Sequence, residues 1–144
     1  MKAVIQKVTS SKVIIDKKTI NEIGLGLNVL VGFTDTDTSK DIDYMVKKIT
    51  NLRIFEDEND IMNKSVIDVQ GSILSISQFT LYGDTKKGNR PSYVKALGSK
   101  EAEPLYNEFN KKLNEIVPTK TGVFGADMKV EIQNNGPTTI IIET

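Results

Sequence analysis

Ser77-Gln78-Phe79-Thr80 is where residue types and spacing in this sequence come closest to a reactive site. Two hydroxyls, a carboxamide and an aromatic ring fall together just before the turn residues Gly83-Asp84, and loops in such places tend to carry function. The rest of the composition narrows the chemistry. The chain has no cysteine and no histidine, which excludes disulfides, thiolate metal sites, imidazole bases and every Ser-His or Cys-His nucleophile. Thr80 as a nucleophile would then have no evident base. From spacing alone the segment also reads as strand, with Phe79 and Leu81 in the core and Ser77 and Thr80 facing solvent. No metal or cofactor is expected.

Charge marks a second segment. Lysine plus arginine and aspartate plus glutamate balance at 19 each, so the whole molecule has no net attraction for nucleic acid or membrane. From Asp84 to Lys100, however, Lys86, Lys87, Arg90, Lys95 and Lys100 face one acidic residue, while Glu56, Asp57, Glu58 and Asp60 crowd together elsewhere. The basic segment could meet the phosphates of a ligand, or be an ordinary solvated loop. A third segment, Gly136-Pro137, needs no more than a turn, with a trans bond as the default.

Other patterns carry less. Gly24-x-Gly26 lacks a third glycine and runs into a strand, the wrong context for a dinucleotide loop. Asp35, Asp37, Ser39 and Asp41 step like calcium ligands, but Lys40 and Val46 stand where glycine and a bidentate glutamate are needed, so helix entry is the better account. Asn63-Lys64-Ser65 is a glycosylation sequon without a secretory route. Met1–Val8 has no apolar stretch of the signal-peptide kind, and no apolar run approaches the roughly 20 residues that span a bilayer. A soluble, cytoplasmic protein with no membrane partner is expected.

The elements that must hold these segments are mostly strands. Met1–Val8, Lys12–Ile15 and Thr19–Ile23 are rich in β-branched residues, with a turn at Asp16-Lys17-Lys18. Leu27–Phe33 is a nearly continuous apolar run, the pattern of a central strand covered on both faces. Thr38-x-x-Asp41 opens a helix whose face is Ile42, Met45, Val46, Ile49 and Leu52. Ser72–Tyr82 reads as a strand ending in a turn, and about Lys100 to Ile116 as a second helix, with Pro104 near its first turn. Met128–Gln133, a turn at Asn134–Pro137 and Thr138–Glu143 read as a terminal hairpin. At 144 residues one domain spanning 1–144 is expected. Its class is α+β, strand-rich, with largely antiparallel or mixed sheets and two main helices.

Together these segments resemble the D-aminoacyl-tRNA deacylase family over essentially the whole chain. The resemblance rests on Met1–Gln6, Asn51-Leu52-Arg53-Ile54-Phe55-Glu56-Asp57, Ser77–Asp84, Arg90-Pro91-Ser92, Phe124-Gly125-Ala126-Asp127-Met128 and Asn134-Asn135-Gly136-Pro137. It implies an α+β homodimer that hydrolyses the ester joining a D-amino acid, or glycine, to the 3′-terminal adenosine of tRNA. It further implies that the backbone N–H groups of Phe79 and Thr80 hold the ester carbonyl, with Ser77 and Gln78 beside the substrate. Gly136-Pro137, cis in the family, is implied to project into the partner subunit's pocket. Two positions depart from the family pattern. Lys7 stands where arginine is common, replacing a bidentate donor by a point charge, and Asn135 stands where aspartate is common.

A hydrolase of this kind needs no side-chain base, because the 2′-hydroxyl beside the ester can assist attack if the protein orients it. Phe79, Phe124 and Met128 are the candidate neighbours of the terminal adenine. Lys7, Lys86, Lys87 and Arg90 are candidate contacts for tRNA. Two other readings stay open at this point: a non-catalytic nucleic-acid-binding module of the same fold, and a Thr80-dependent esterase for small acyl esters.

Overall fold

The computed structural model describes all residues from Met1 to Thr144. The chain runs β1 (Lys2–Ile15), β2 (Lys18–Ile23), β3 (Gly26–Gly32), α1 (Ser39–Asn51), β4 (Phe55–Glu56), β5 (Met62–Lys64), β6 (Ser72–Ser77), a 3-10 turn (Phe79–Tyr82), α2 (Ser99–Asn114), β7 (Thr119–Thr121) and β8 (Lys129–Glu143). The class is α+β with a mixed sheet, as the strand-rich pattern with two helices predicts.

The sheet is organised around β1. Its first half pairs antiparallel with β3 and its second half with β2, while β8 runs antiparallel along its other edge for nearly its whole length. From β3 the sheet continues through parallel β6 and β7. Bonds outside the strand ladders draw its two ends together: Asn21 Nδ2 donates to the Thr121 carbonyl at 2.6 Å and Lys120 Nζ to the Glu22 carbonyl at 2.9 Å. The result is a sheet curled nearly into a barrel. β4 and β5 form a separate small ribbon.

Two apolar cores follow from alternation along β1, β3 and β6. Ala3, Ile5, Leu27, Val29 and Ile73 face the helices and meet Ile42, Met45 and Ile49 of α1 and Tyr106, Phe109 and Leu113 of α2. Val8, Val13, Ile23, Leu74 and Ile76 fill the inside of the curl. Helix α1 begins where its capping box predicts. The Thr38 N–H and hydroxyl both donate to Asp41 Oδ2, at 2.9 and 2.8 Å, which holds the Asp41 carboxyl below its ordinary range. No helix is long and apolar enough to cross a membrane.

Several boundaries differ from the sequence reading for identifiable reasons. β1 is one strand, because its ladder with β8 skips Thr9 and resumes at Ser10, which pairs with Gln133. β6 stops at Ser77, and Phe79–Tyr82 coils into a 3-10 turn. α2 starts one residue earlier than expected and carries Pro104 in its second turn. The carbonyl that Pro104 leaves without a donor, that of Lys100, lies on an exposed stretch where water can take its place. The terminal segment is no hairpin pairing with itself: both arms of β8 pair with β1, and the turn residues bulge out between them.

Phe109 is fully buried where α2 meets the sheet. Phe109→Ala is expected to lower unfolding free energy by about 3–5 kcal/mol, measurable by urea denaturation. A loss under about 1 kcal/mol, the range of surface changes, would mean that the helices do not rest on this contact.

Candidate active site

A cavity of about 610 Å³ opens where β3 and β6 end, bounded by the start of α2 and by the loop before β8. Its lining is mainly apolar and includes Phe33, Ile76, Leu97, Ala102, Phe124 and Met128, with Ser77 and Gln78 at the rim. Parallel strands that end together leave such a crevice beyond their carboxyl ends.

The 3-10 turn supplies its polar edge. The Gln78 N–H still donates to the Val31 carbonyl, at 2.7 Å, so the chain stays in the sheet up to that residue. It then bends, and the Leu81 N–H donates back to the Gln78 carbonyl. Phe79 and Thr80 open the turn, and the first N–H groups of a helical turn have no carbonyl partner within it. Neither donates in any of the turn and loop hydrogen bonds. Phe79 lines the cavity and Thr80 follows it on the turn; adjacent main-chain donors beside an apolar cavity are groups of the kind that hold an oxyanion.

Side chains brace this turn. Thr80 Oγ1 accepts a hydrogen bond from Gln78 Nε2, and no base stands behind it. The Phe79 ring, 55% exposed, meets Tyr93 edge to face with centroids 5.1 Å apart. Gly32 lies against the turn so closely that a Cβ there would come within 2.8 Å of the Gln78 carbonyl oxygen. On the opposite wall, Phe124 packs against Tyr106 at 5.7 Å. The Tyr106 hydroxyl, buried and pushed above its ordinary pKa by that burial, donates to the Ser75 carbonyl at 2.8 Å. Met128 Sδ accepts the Val123 N–H at 3.3 Å, which sets the loop Gly122–Met128.

Five of the site residues read from the sequence thus come together: Ser77, Gln78, Phe79, Phe124 and Met128. Thr80 sits beside them on the turn. Lys86, Lys87 and Arg90 lie on an exposed loop whose ends are tied by Asp84 and Ser92, each N–H donating to the other's carbonyl at 2.8 and 2.9 Å. Lys7 does not join them. Its side chain is 2% exposed and its ammonium is bonded to Glu56 at 2.5 Å, which also holds the Glu56 carboxyl below its ordinary range. A lysine committed in this way is not offered at the surface to a phosphate. Tyr93 and Ala102 were not singled out by sequence; the signal for Tyr93 is an aromatic directly after Arg90-Pro91-Ser92.

Gly136-Pro137 lies away from this chain's own cavity. The ladder between β1 and β8 pairs Gln6 with Thr139 and Val8 with Asn134, so Asn135–Thr138 bulge out opposite Lys7 alone. Gly136 adopts a φ of +112°, open to glycine, and its bond to Pro137 is cis rather than the trans default of the bare dipeptide. Both residues are exposed.

The curled mixed sheet backed by two helices, with an apolar cavity where its parallel strands end, defines an α+β domain with one candidate site at the strand ends. Comparison with known proteins gives the family. The model of the D-Tyr-tRNA(Tyr) deacylase family matches residues 4–143, and the chain belongs to that family. D-aminoacyl-tRNA deacylases of Clostridium botulinum, strains 657 and Eklund 17B, are each 55% identical over 145 residues, covering 100% of this chain and 97% of theirs. A solved structure titled c-Myc DNA unwinding element binding protein superposes with a TM-score of 0.96 at 45% identity, covering 100% of this chain and 99% of that one. A probable eukaryotic D-amino acid tRNA deacylase shares the fold, with a TM-score of 0.83 at 17% identity over 98% of this chain and 97% of that one.

Gly32→Ala is expected to push the Gln78 carbonyl and tilt the turn that follows it, lowering deacylation at least about tenfold while costing about 1–3 kcal/mol in stability. Single-turnover deacylation and thermal melting separate the two effects. Wild-type turnover in that variant would mean that the turn's alignment is immaterial.

Proposed function

We propose that this chain, a D-aminoacyl-tRNA deacylase by family, hydrolyses its ester with main-chain groups and the substrate's own hydroxyl. The observation that carries this reading is the pair of unengaged N–H groups at Phe79, which lines the cavity, and at Thr80, the next residue of the turn. The ester carbonyl sits on these donors, which stabilise the oxyanion as water adds; one such donor typically contributes about 2.7–4 kcal/mol. The 2′-hydroxyl of the terminal ribose assists the attack, and the protein's part is to position it. The terminal adenine packs among Phe79, Phe124 and Met128, with Ser77 and Gln78 beside the aminoacyl group. Lys86, Lys87 and Arg90 take tRNA phosphates, and with no net charge on the molecule these contacts are few.

Handedness is read by exclusion. Gly136-Pro137, projecting from one subunit of a homodimer into the cavity of the other, turns its carbonyls toward the α-ammonium and crowds one face of the α-carbon. An L side chain then collides, a D side chain points away, and glycine, having none, is accepted. Two features support a second copy as the partner. β8 pairs only with β1, which leaves its outer edge free, a feature that soluble proteins seldom leave uncovered. On the face away from the helices, Leu30, Val4 and Ile141 form one cross-strand row, with Ile141 68% exposed. The enzyme acts as a single domain over 1–144 in the cytoplasm, where charged tRNA is used.

Incubation with D-tyrosyl-tRNA and L-tyrosyl-tRNA tests the reading, and binding without deacylation would favour a nucleic-acid-binding module. Thr80→Ala is expected to retain most of its activity, because its hydroxyl touches no reacting atom in this scheme and serves only to brace the turn through Gln78. Its complete inactivation in a folded protein would point to a threonine nucleophile. D-tyrosyl-tRNA ending in 2′-deoxyadenosine, charged at its 3′-hydroxyl, is expected to be cleaved at least about a hundredfold more slowly, on the scale of a positioned catalytic group. Equal rates would remove the substrate's hydroxyl from the mechanism.

A further inference from the structure

The Gly136-Pro137 projection leaves the β1–β8 ladder and returns to it within a few residues, and a bulge of that size has few contacts of its own. It leaves at Asn134, which pairs with Val8, and returns at Thr139, which pairs with Gln6. The Asn134 carboxamide stands across that neck. Its Nδ2 donates to the carbonyl of Lys7 on β1 and to the carbonyl of Thr138 on the returning arm, both at 3.0 Å. Its Oδ1 accepts from Gln6 Nε2 and from Thr139 Oγ1, both at 3.2 Å. All of the donor and acceptor capacity of one amide is thus used, and the four bonds join the departing arm, the returning arm and the strand beneath. Thr139 Oγ1 also lies 3.2 Å from the Pro137 carbonyl, so its single proton is shared between the clasp and the tip.

We propose that Asn134 is the positioning residue of the stereochemical wedge: its carboxamide fixes the angle at which Gly136 and Pro137 leave the sheet, and so sets the preference for D over L substrates. This rests on the reading of Gly136-Pro137 as the wedge. Asn134 touches no substrate in this scheme. Aspartate has the same shape but, ionised, turns an oxygen toward the Lys7 and Thr138 carbonyls in place of two N–H donors, so the neck opens by repulsion. Gln6→Ala removes one acceptor bond and leaves the donors intact.

The test compares wild type, Asn134→Asp and Gln6→Ala for deacylation of D-tyrosyl-tRNA and L-tyrosyl-tRNA, with thermal melting and gel filtration alongside. For Asn134→Asp the ratio of D to L rates is expected to fall about tenfold or more, the scale of one to two buried hydrogen bonds, with elution volume unchanged. Gln6→Ala is expected to lose about threefold in the same ratio. A residue serving stability alone would lower the melting temperature and leave the ratio in place. Asn134→Asp that folds and keeps its ratio within twofold of wild type overturns the proposal. If that variant does not fold, an unchanged ratio in Gln6→Ala overturns it instead. Wild-type protein that shows no preference for D-tyrosyl-tRNA overturns the wedge reading itself, an outcome distinct from a discriminating wild type with equally discriminating variants.

Discussion

One strand carries the molecule. β1 is hydrogen-bonded to β2 and β3 along one edge and to β8 along the other, so every long strand of the sheet is placed by its register with β1 or by the next strand out. Register in a sheet is all or nothing, because a slip of one residue would turn Ala3 and Ile5 away from the helices and Val4 and Gln6 toward them. The same register decides where the Asn135–Thr138 bulge emerges, opposite Lys7, and where β3 and β6 stop to leave the cavity. Fold and site are consequences of a single alignment.

The cavity shows how a fold can leave main-chain donors unpaired beside an apolar cleft. A strand that converts at once into a 3-10 turn presents N–H groups which regular structure would have consumed. The surrounding residues fix the orientation of those groups: Gly32 by its closeness to Gln78, Tyr93 by its edge against Phe79, and Gln78 by capturing the Thr80 hydroxyl. Ionisable groups are kept for structure, as in Lys7 against Glu56, where the ammonium lies inside the protein and its partner at the surface.

Much of this was legible in the sequence, and the misses share a cause. Helix α1 was plain because its capping box and its apolar spacing agree, and β3 was plain because a strand covered on both faces has little room for polar residues. The end of β6 was not, since Phe79 and Leu81 continue the alternation of a strand while the backbone has already left it. The terminal segment was misread as a hairpin because Asn134-Asn135-Gly136-Pro137 is good turn chemistry wherever it stands. Only the long partner β1 turns it into a bulge, and long-range pairing leaves no local mark. Lys7 stands out in the sequence only as the residue at a position where the family has arginine; its burial against Glu56, 49 residues away, leaves no local mark. Ser77, Gln78 and Phe79 stand out by residue type at a strand end, whereas Phe124 and Met128 come from a block of the family pattern that periodicity alone leaves unremarked.

A cavity without thiol or imidazole lacks the side chains that reactive small molecules attack first. Peroxide and alkylating agents disable enzymes by attacking thiolates and imidazoles, and this chain has neither. The sole sulfur in the cavity wall is that of Met128, already turned toward the Val123 N–H. On the proposed main-chain mechanism the groups that hold the ester are amide N–H groups, which such reagents leave untouched, and Met128 is the position in the cavity wall open to oxidation.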